Sequence, residues 1–570
     1  FLQIYKGEDY HLQAERQQIG FVDLSAKRGD ILDRRLEPLA ISIKVDSVFA
    51  HPEEVTDHIT ASKSLAPILL QSENYIHEKL LSNRPFVYLA RRISPRQTER
   101  IQNLKLSGVY FQEETKRIYP GRDLAAHVLG FVGFDNEGLS GLEYLYNDFM
   151  KGEKTRIQLR FDAKRKSYLS SARNNNNQGN ILVLNIDSTI QHIVQQTLEA
   201  VVAKNKALNA SAIVMNPNNG EVLAMASYPT FNPNRYADFS ADSRRNRSIL
   251  DLYEPGSTFK IVTFAAVLNE GLAKPSESVD CRVETLRLAG KTYREAKNSF
   301  GILPFNTVLA KSSNVGTIKL GLRLGEEKFH GYIRKLGFGQ KTNIDLPGEQ
   351  KGLLRPPSQW SELSIGALSI GQELGATPLQ VLIANGAIAN GGKIVSPRIV
   401  SKVLTPQGKI LYEGKLLSRQ VLSRSTTDKM KTAMSHVVSQ GTGRNARLSG
   451  YSSGGKTGTS QKFVDGRYSD KKFLASYVGF APLNNPVLSM IIVIDEPQNL
   501  YYGGQVAAPA FKYIMDRSLV YLKVPQDQSI TTQEARQNLL SLTLGNSDTT
   551  SDNQGDPKLD TWKETILTLI

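Results

Sequence analysis

Five hundred and seventy residues, 40% of them apolar, exceed one ordinary domain and suffice for two or three with sizeable cores. The 70 lysines and arginines against 55 acids leave a net charge of +15, but the cations are scattered. They form no aromatic-interleaved stripe of the kind nucleic acid demands, so no nucleic-acid partner is expected. A single cysteine, Cys281, excludes an internal disulfide and a cysteine-rich metal site, and no run reaches the roughly 18 apolar residues of a membrane span.

In chain order, FLQIYKGEDY opens without an initiator methionine, and the expectation is an upstream signal or anchor that this chain does not carry. Residues 1–178 mix strand-like pieces such as VDSVFA with helical ones such as PRQTERIQNL, and form an N-terminal domain closed by the polar run SSARNNNNQGN. From 179 to 525 the pattern tightens. ILVLNI predicts a strand, and Asp187 and Ser188 cap a helix over the apolar periodicity of DSTIQHIVQQTLEAVVAKN. ASAIVMNPNNGEVLAMASYP predicts two strands joined by a turn at Pro217–Gly220, and a helical region follows Ser257. Near the end, FLASYVGFAP and VLSMIIVIDEP predict a hairpin across LNNP, and APAFKYIMDRSLVYL a closing helix. Strands at both ends with helices between predict an α+β domain: an antiparallel sheet flanked by helices, in which the two ends pair. Residues 526–570 form a polar, acidic tail. There Leu559, Trp562, Ile566 and Leu569 share a helical face, expected to pack on its own protein ahead of binding a partner.

The stretch LYEPGSTFKIVTFAAVLNEG carries the candidate chemistry. Pro255 and Gly256 punctuate the start of a helix in which Ile261, Val262, Phe264, Ala265, Val267 and Leu268 are apolar, and Ser257 and Lys260 stand one turn apart. Serine attack needs a base, an oxyanion site and a holder for the substrate. The eight histidines, His11, His51, His58, His77, His127, His192, His330 and His436, fall in no triad-like motif, and no G-x-S-x-G elbow surrounds Ser257. A lysine base works only if burial and nearby positive charge lower its pKa, so a second cation and polar groups must come from elsewhere. Ser312 and Asn314 in AKSSNVG supply the polar groups, and Lys456, Thr457, Gly458 and Thr459 in GGKTGTSQ supply the cation. The second stretch precedes the terminal hairpin. It predicts an exposed edge strand, where glycine lets a ligand backbone approach. Ser-x-x-Lys recurs at Ser453 and Ser469, and Ser-x-Asn at Ser72 and Ser551, without a buried helix behind them; Lys-Thr-Gly occurs once. The ordered trio carries the reading.

That trio resembles the three motifs of penicillin-binding proteins and serine β-lactamases. RGDILDRRLEPLA, RIYPGRDLAAHVLGFVG and GLSGLEYLYNDFMKG resemble the N-terminal pedestal of class B penicillin-binding proteins. NPNNGEVLAMASYPTFNPN, NRSILDLYEPGSTFK, GLLRP and ALSIGQELGATPLQ resemble their transpeptidase body, so the likeness covers most of residues 25–520. Leu36 departs where the family usually has glycine, and Ser460 where alanine is frequent. The resemblance implies a membrane-anchored peptidoglycan D,D-transpeptidase facing the periplasm or the cell exterior, without metal or cofactor, acylated by β-lactam antibiotics. It implies that Ser257 attacks the penultimate D-Ala of a stem peptide and Lys260 takes its proton. Ser312 and Asn314 relay and position, Lys456 contributes positive charge, and Thr457 and Thr459 bind the terminal carboxylate. The backbone N–H groups of Ser257 and Thr459 form the oxyanion hole. LYEPGSTFK and IDLPGEQKGLL look more like division-specific relatives, whose partners are a SEDS glycosyltransferase and other divisome membrane proteins.

Other readings stay open at this point. A β-lactamase has no use for the first 180 residues, and a bifunctional enzyme would carry a glycosyltransferase module at the front. A non-catalytic β-lactam sensor or scaffold could keep the acylation site, and an elongation- or sporulation-specific transpeptidase shares the motifs.

Overall fold

The computed structural model describes residues 19–24, 26–152, 155–161, 167–169, 178–282, 285–288, 291–295, 299–464 and 466–529. The opening FLQIYKGEDY, most of SSARNNNNQGN and the tail from residue 530 on, with its proposed amphipathic face, lie outside the described residues.

Pro38–Ala50 is the spine of the N-terminal half, paired antiparallel by Val87–Ile93 and by Val109–Ile118. Strand alternation puts Val48, Ala50, Val87 and Leu89 on one face. Helices His58–Leu69, Glu73–Leu80 and Pro95–Asn103 cover it with Leu65, Leu69, Ile76 and Ile101. The third helix begins where PRQTERIQNL predicts it, because Ser94 and Gln97 close a capping box.

RGDILDRRLEPLA binds this half to the rest. Arg28 and Arg117 reach the buried carboxylate of Glu143 at 2.6 and 2.7 Å, with all three side chains at most 1% exposed. Burial by itself would raise the pKa of Glu143, but the two guanidinium groups outweigh it and hold the carboxyl below its usual range. The stability this linkage adds is present above the unfolded carboxyl pKa and is lost as pH falls through the lowered folded one. Glu143→Ala leaves two buried cations with neutral partners only, such as Asn147 for Arg28 and the Gly29 carbonyl for Arg117, and is expected to cost about 3–5 kcal/mol. The check is a lower urea midpoint for the transition that unfolds this half.

Ile31–Leu32 runs parallel to Ile181–Leu184, which pairs antiparallel with Val400–Leu404. The ILVLNI strand therefore joins a seven-stranded sheet that spans both halves of the chain, not the sheet of the two pairing ends. Asp33 explains the placement. Its carboxylate accepts the N–H and hydroxyl of Ser188, at the start of helix Ser188–Asn205, and so holds DILD beside the incoming strand. Leu36, where the family usually has glycine, takes φ +68° in the Asp33–Glu37 turn. The turn survives because the leucine side chain is exposed, at a cost of about 1–2 kcal/mol.

The second sheet has five strands in the order Val222–Tyr228, Asn209–Met215, Leu488–Asp495, Arg467–Ala481, Gly454–Val464, all antiparallel. The expected pairing of the two ends is the contact of Asn209–Met215 with Leu488–Asp495, with Ile213 opposite Ile491. Helices Ser188–Asn205 and Gly503–Tyr521 bury one face. Lys260–Asn269, Pro378–Ala389 and Arg424–Ser439 fill the core on the other. The closing helix starts earlier than APAFKYIMDRSLVYL suggests, with Pro509 inside it. Gly454–Val464, which carries Lys-Thr-Gly, is the edge strand that its position before the hairpin predicts.

Candidate active site

Gly256–Phe259 is a single 3₁₀ turn, closed by the N–H of Lys260 on the carbonyl of Ser257, and it runs directly into helix Lys260–Asn269. Residues three apart eclipse in a 3₁₀ turn, so this geometry aligns Ser257 with Lys260 more closely than an α-turn would. Lys260 through Leu268 are all buried, which leaves the turn no freedom to rotate away. Gly256 has φ +54°, and a Cβ there would come within 3.2 Å of Ser460, so the edge strand lies against the nucleophile turn.

Lys260 is fully buried. Its Nζ donates to the carbonyl of Ser312 at 2.7 Å and to Oδ1 of Asn314 at 2.7 Å, with Oγ of Ser312 at 3.3 Å. Ser312 ends helix Phe305–Lys311 in the left-handed region, at φ +60°. Lys456, equally buried, donates to Oγ of Ser312 at 2.9 Å and to the carbonyl of Thr457 at 3.0 Å. The Ser312 hydroxyl thus bridges two amines drawn from a helix and an edge strand. Among the site residues named from sequence, the structure brings Lys260, Ser312, Asn314 and Lys456 into one hydrogen-bonded cluster, with the turn of Ser257 beside it.

Burial lowers the pKa of Lys260 to about 7, against the opposing pull of the negative Glu295. Lys456 is pushed well below the usual lysine range, by burial first and then by the charge of Lys260. The sequence reading expected a neighbouring cation to help discharge Lys260. That reading named burial as well, and burial is the first cause at both amines, with Lys456 the neighbouring cation. The pair holds its protons jointly, as coupled sites do.

The threonines make further contacts, and Nζ of Lys456 also reaches Oγ1 of Thr457 at 3.5 Å. The hydroxyl of Thr457 shares a 2.6 Å hydrogen bond with that of Thr442, and Thr459 accepts the N–H of Gly503 at 3.0 Å. A Cβ at Gly458 would meet Oγ of Ser476 at 2.2 Å and Cγ2 of Thr258 at 2.8 Å. The space a side chain would need there is filled by the protein's own turn and neighbouring strand. Glycine at 458 lets the edge strand close on the nucleophile turn, a tighter reason than the ligand approach expected from sequence. Three groups escaped the sequence reading: Thr442, Ser313 and Glu295, whose carboxylate accepts from Ser313, Asn314 and Val315. No short motif joins Glu295 to Ser312–Asn314, so only the fold reveals the contact. Of the described histidines, His127 turns its ring to the carbonyl of Ser243 and His330 packs on Trp360, neither at Ser257.

The cluster joins two buried amines through one hydroxyl, a short path for a proton, beside the turn that carries Ser257. Residues 210–516 match the family described as penicillin binding protein transpeptidase domain, and residues 23–184 the penicillin-binding protein dimerisation domain. The chain is 36% identical to Stage V sporulation protein D of Bacillus subtilis, covering 92% of this chain and 83% of that one. It is 31% identical to the peptidoglycan D,D-transpeptidase FtsI of Escherichia coli, covering 93% and 90%. Among solved structures it is similar to penicillin binding protein 3 of Mycobacterium tuberculosis complexed with aztreonam, with a TM-score of 0.69 and 29% identity over 90% of this chain and 99% of that one.

Proposed function

Since the chain belongs to the class B penicillin-binding proteins of the division type, we propose that it cross-links peptidoglycan stem peptides in septal wall synthesis through an acyl-Ser257 intermediate, and that β-lactams acylate the same serine. One observation carries the assignment of roles. A neutral lysine amine has two N–H donors and one lone pair. The two 2.7 Å bonds from Lys260 to Ser312 O and Asn314 Oδ1 match both donors of the neutral amine, and leave its lone pair only the longer 3.3 Å contact with Oγ of Ser312, which a stronger acid can displace.

Lys260 then takes the proton of Ser257 as Oγ bonds to the penultimate D-Ala carbonyl carbon. The backbone N–H groups of Ser257 and Thr459 hold the oxyanion. The C–N bond to the terminal D-Ala breaks, and the proton leaves on its amine. In the second half the amine of a neighbouring strand gives its proton to Lys260 and bonds to the acyl carbon. The ester bond breaks, and Oγ of Ser257 recovers the proton. A substrate carboxylate held by Thr457 and Thr459 would draw the proton of the coupled pair toward Lys456, freeing Lys260 as substrate arrives. Ser312, bonded to both amines, is the path between them.

The likeness also suggests a membrane anchor upstream of residue 1 and a SEDS glycosyltransferase partner met through the N-terminal half. That half is needed for partner activation and not for acylation. A truncation at residue 180 is a poor test, because it strips Ile31–Leu32 from the strand beside it. The experiment is the anchored full chain, reconstituted in a membrane with the glycosyltransferase and its substrate. Cross-linked strands are expected, together with fluorescent β-lactam labelling that persists when the glycosyltransferase is left out. Labelling without any cross-link would make the protein a sensor and sink the reading.

A further inference from the structure

Glu295 sits just past the hairpin Thr285–Leu288 and Lys291–Arg294, in a segment that no motif singles out. Leu286, Leu288 and Tyr293 of that hairpin pack on Ile318, Ala367 and Ile370, and the hydroxyl of Tyr293 donates to the carbonyl of Leu363, so the segment is fastened to the body. The Glu295 side chain turns inward, with the residue 9% exposed. Its Oε2 accepts the N–H of Asn314 at 2.7 Å, and its Oε1 accepts the N–H of Val315 at 3.0 Å and the hydroxyl of Ser313. Ser313 in turn accepts the N–H of Gly316 at 2.9 Å. The first three N–H groups of helix Asn314–Leu322 are thereby all satisfied, two of them by one carboxylate placed where a helix N-terminus favours negative charge.

The adjoining carbonyl, that of Arg294, accepts Nδ2 of Asn314 at 2.8 Å. An amide so held presents its oxygen, and not its NH₂, to Lys260. A turned amide would set donors against the donors of the amine.

We infer that Glu295 is a positioning residue for Lys260: with the Arg294 carbonyl it fixes Asn314, and through Ser313 the end of the preceding helix at Ser312, around the amine, and it stands there as a negative group. The inference rests on Lys260 acting as the base toward Ser257.

The charges around the amine make the sign definite. On the edge strand Lys456 is the cation joined to Lys260 through Ser312. Lys319, on the helix that Glu295 caps, is turned to Asp280, with its Nζ on the Asp280 carbonyl at 2.7 Å. Buried Cys281 lies beside Glu295 and Asp280, and burial raises its pKa. Arg294 and Lys311 point into solvent. At the far end of the core helix Glu270 pairs with Lys328, away from the amine. Glu295 is the carboxylate that opposes the discharge of Lys260. Removing its charge lowers the lysine pKa and frees the base at lower pH.

The test is the second-order acylation rate of the full chain by a fluorescent penicillin, measured across neutral and mildly acidic pH. The wild-type rate is expected to fall below an acid limb near 7. In Glu295→Gln that limb moves down by about one pH unit, while the plateau drops about tenfold because the amide sets an NH₂ against donors that one of the two carboxylate oxygens accepts. Glu295→Ala, the second neutral variant should the first fail to fold, moves the limb the same way. Glu295→Asp keeps the charge, so its plateau drops with the limb in place. A limb that stays put in both neutral variants, or an unchanged plateau in all three, overturns the inference. A wild-type profile without the limb, together with normal acylation of Lys260→Ala, would instead overturn the lysine-base reading beneath it.

Discussion

Lys260→Arg is expected to slow acylation of Ser257 by about 10²–10⁴-fold at every accessible pH, the range that removal of a general base produces. The substitution keeps a long basic side chain but makes permanent the charge that Lys260 gives up. An arginine guanidinium does not deprotonate in a protein and has no lone pair to offer. Its planar fork would also have to enter a fully buried site built around one nitrogen, with acceptors at 2.7 Å on Ser312 and Asn314. The measurement is the rate of covalent labelling by a fluorescent penicillin, with Ser257→Ala setting the floor. A variant that keeps more than about a tenth of the wild-type rate would show that the proton of Ser257 leaves by another route.

The same comparison exposes the part Ser312 plays. Its hydroxyl lies 3.3 Å from one amine and 2.9 Å from the other, and its carbonyl holds Lys260 in place. Both contacts depend on a left-handed backbone at a non-glycine residue, a conformation that costs energy and is kept where a site requires it. Strain at Ser312 and burial at both lysines are therefore linked: the helix end bends left-handed so that one residue can serve two amines.

How much of this was legible in the sequence follows from the range of each contact. Ser257 and Lys260 could be paired from sequence because one turn of backbone joins them. The helix behind them could be read from its apolar run. The edge position of Lys456 followed from the hairpin that succeeds it, and the pairing of the two ends from their strand-like composition. Ser312 and Asn314 were found by resemblance of the ordered trio, not by any periodicity. What stayed hidden was set by neighbours distant in the chain. Glu295 reaches its helix through a hairpin that packs elsewhere, and Thr442 meets Thr457 across a loop. The ILVLNI strand announces itself as a strand, but nothing in its four residues says that Ile31 will be its neighbour. The repulsion of two neighbouring lysines is predictable from their charge, but that both are fully buried needed coordinates.

Asn314→Asp is the second large effect expected, and it runs opposite to the loss of Glu295. The side chain keeps its shape, but an oxygen replaces the NH₂ that faces the Arg294 carbonyl, and a full negative charge stands 2.7 Å from the Lys260 amine. An opposite charge at that distance raises a lysine pKa by about 1–3 units, so from about 7 the free amine at pH 7 falls by about 5- to 500-fold, and acylation with it. The sign fixes the remedy. Because the base is lost only by being protonated, the rate should recover as pH rises through the new pKa, while the wild-type rate is already level there. A neutral variant at 295 shifts the acid limb down and an acidic one at 314 shifts it up, though each disturbs the same turn. A purely structural account predicts two falls and no shift. If Asn314→Asp were slow at every pH with its limb unmoved, the charge on Lys260 would not be what controls Ser257, and the burial of that amine would need another purpose.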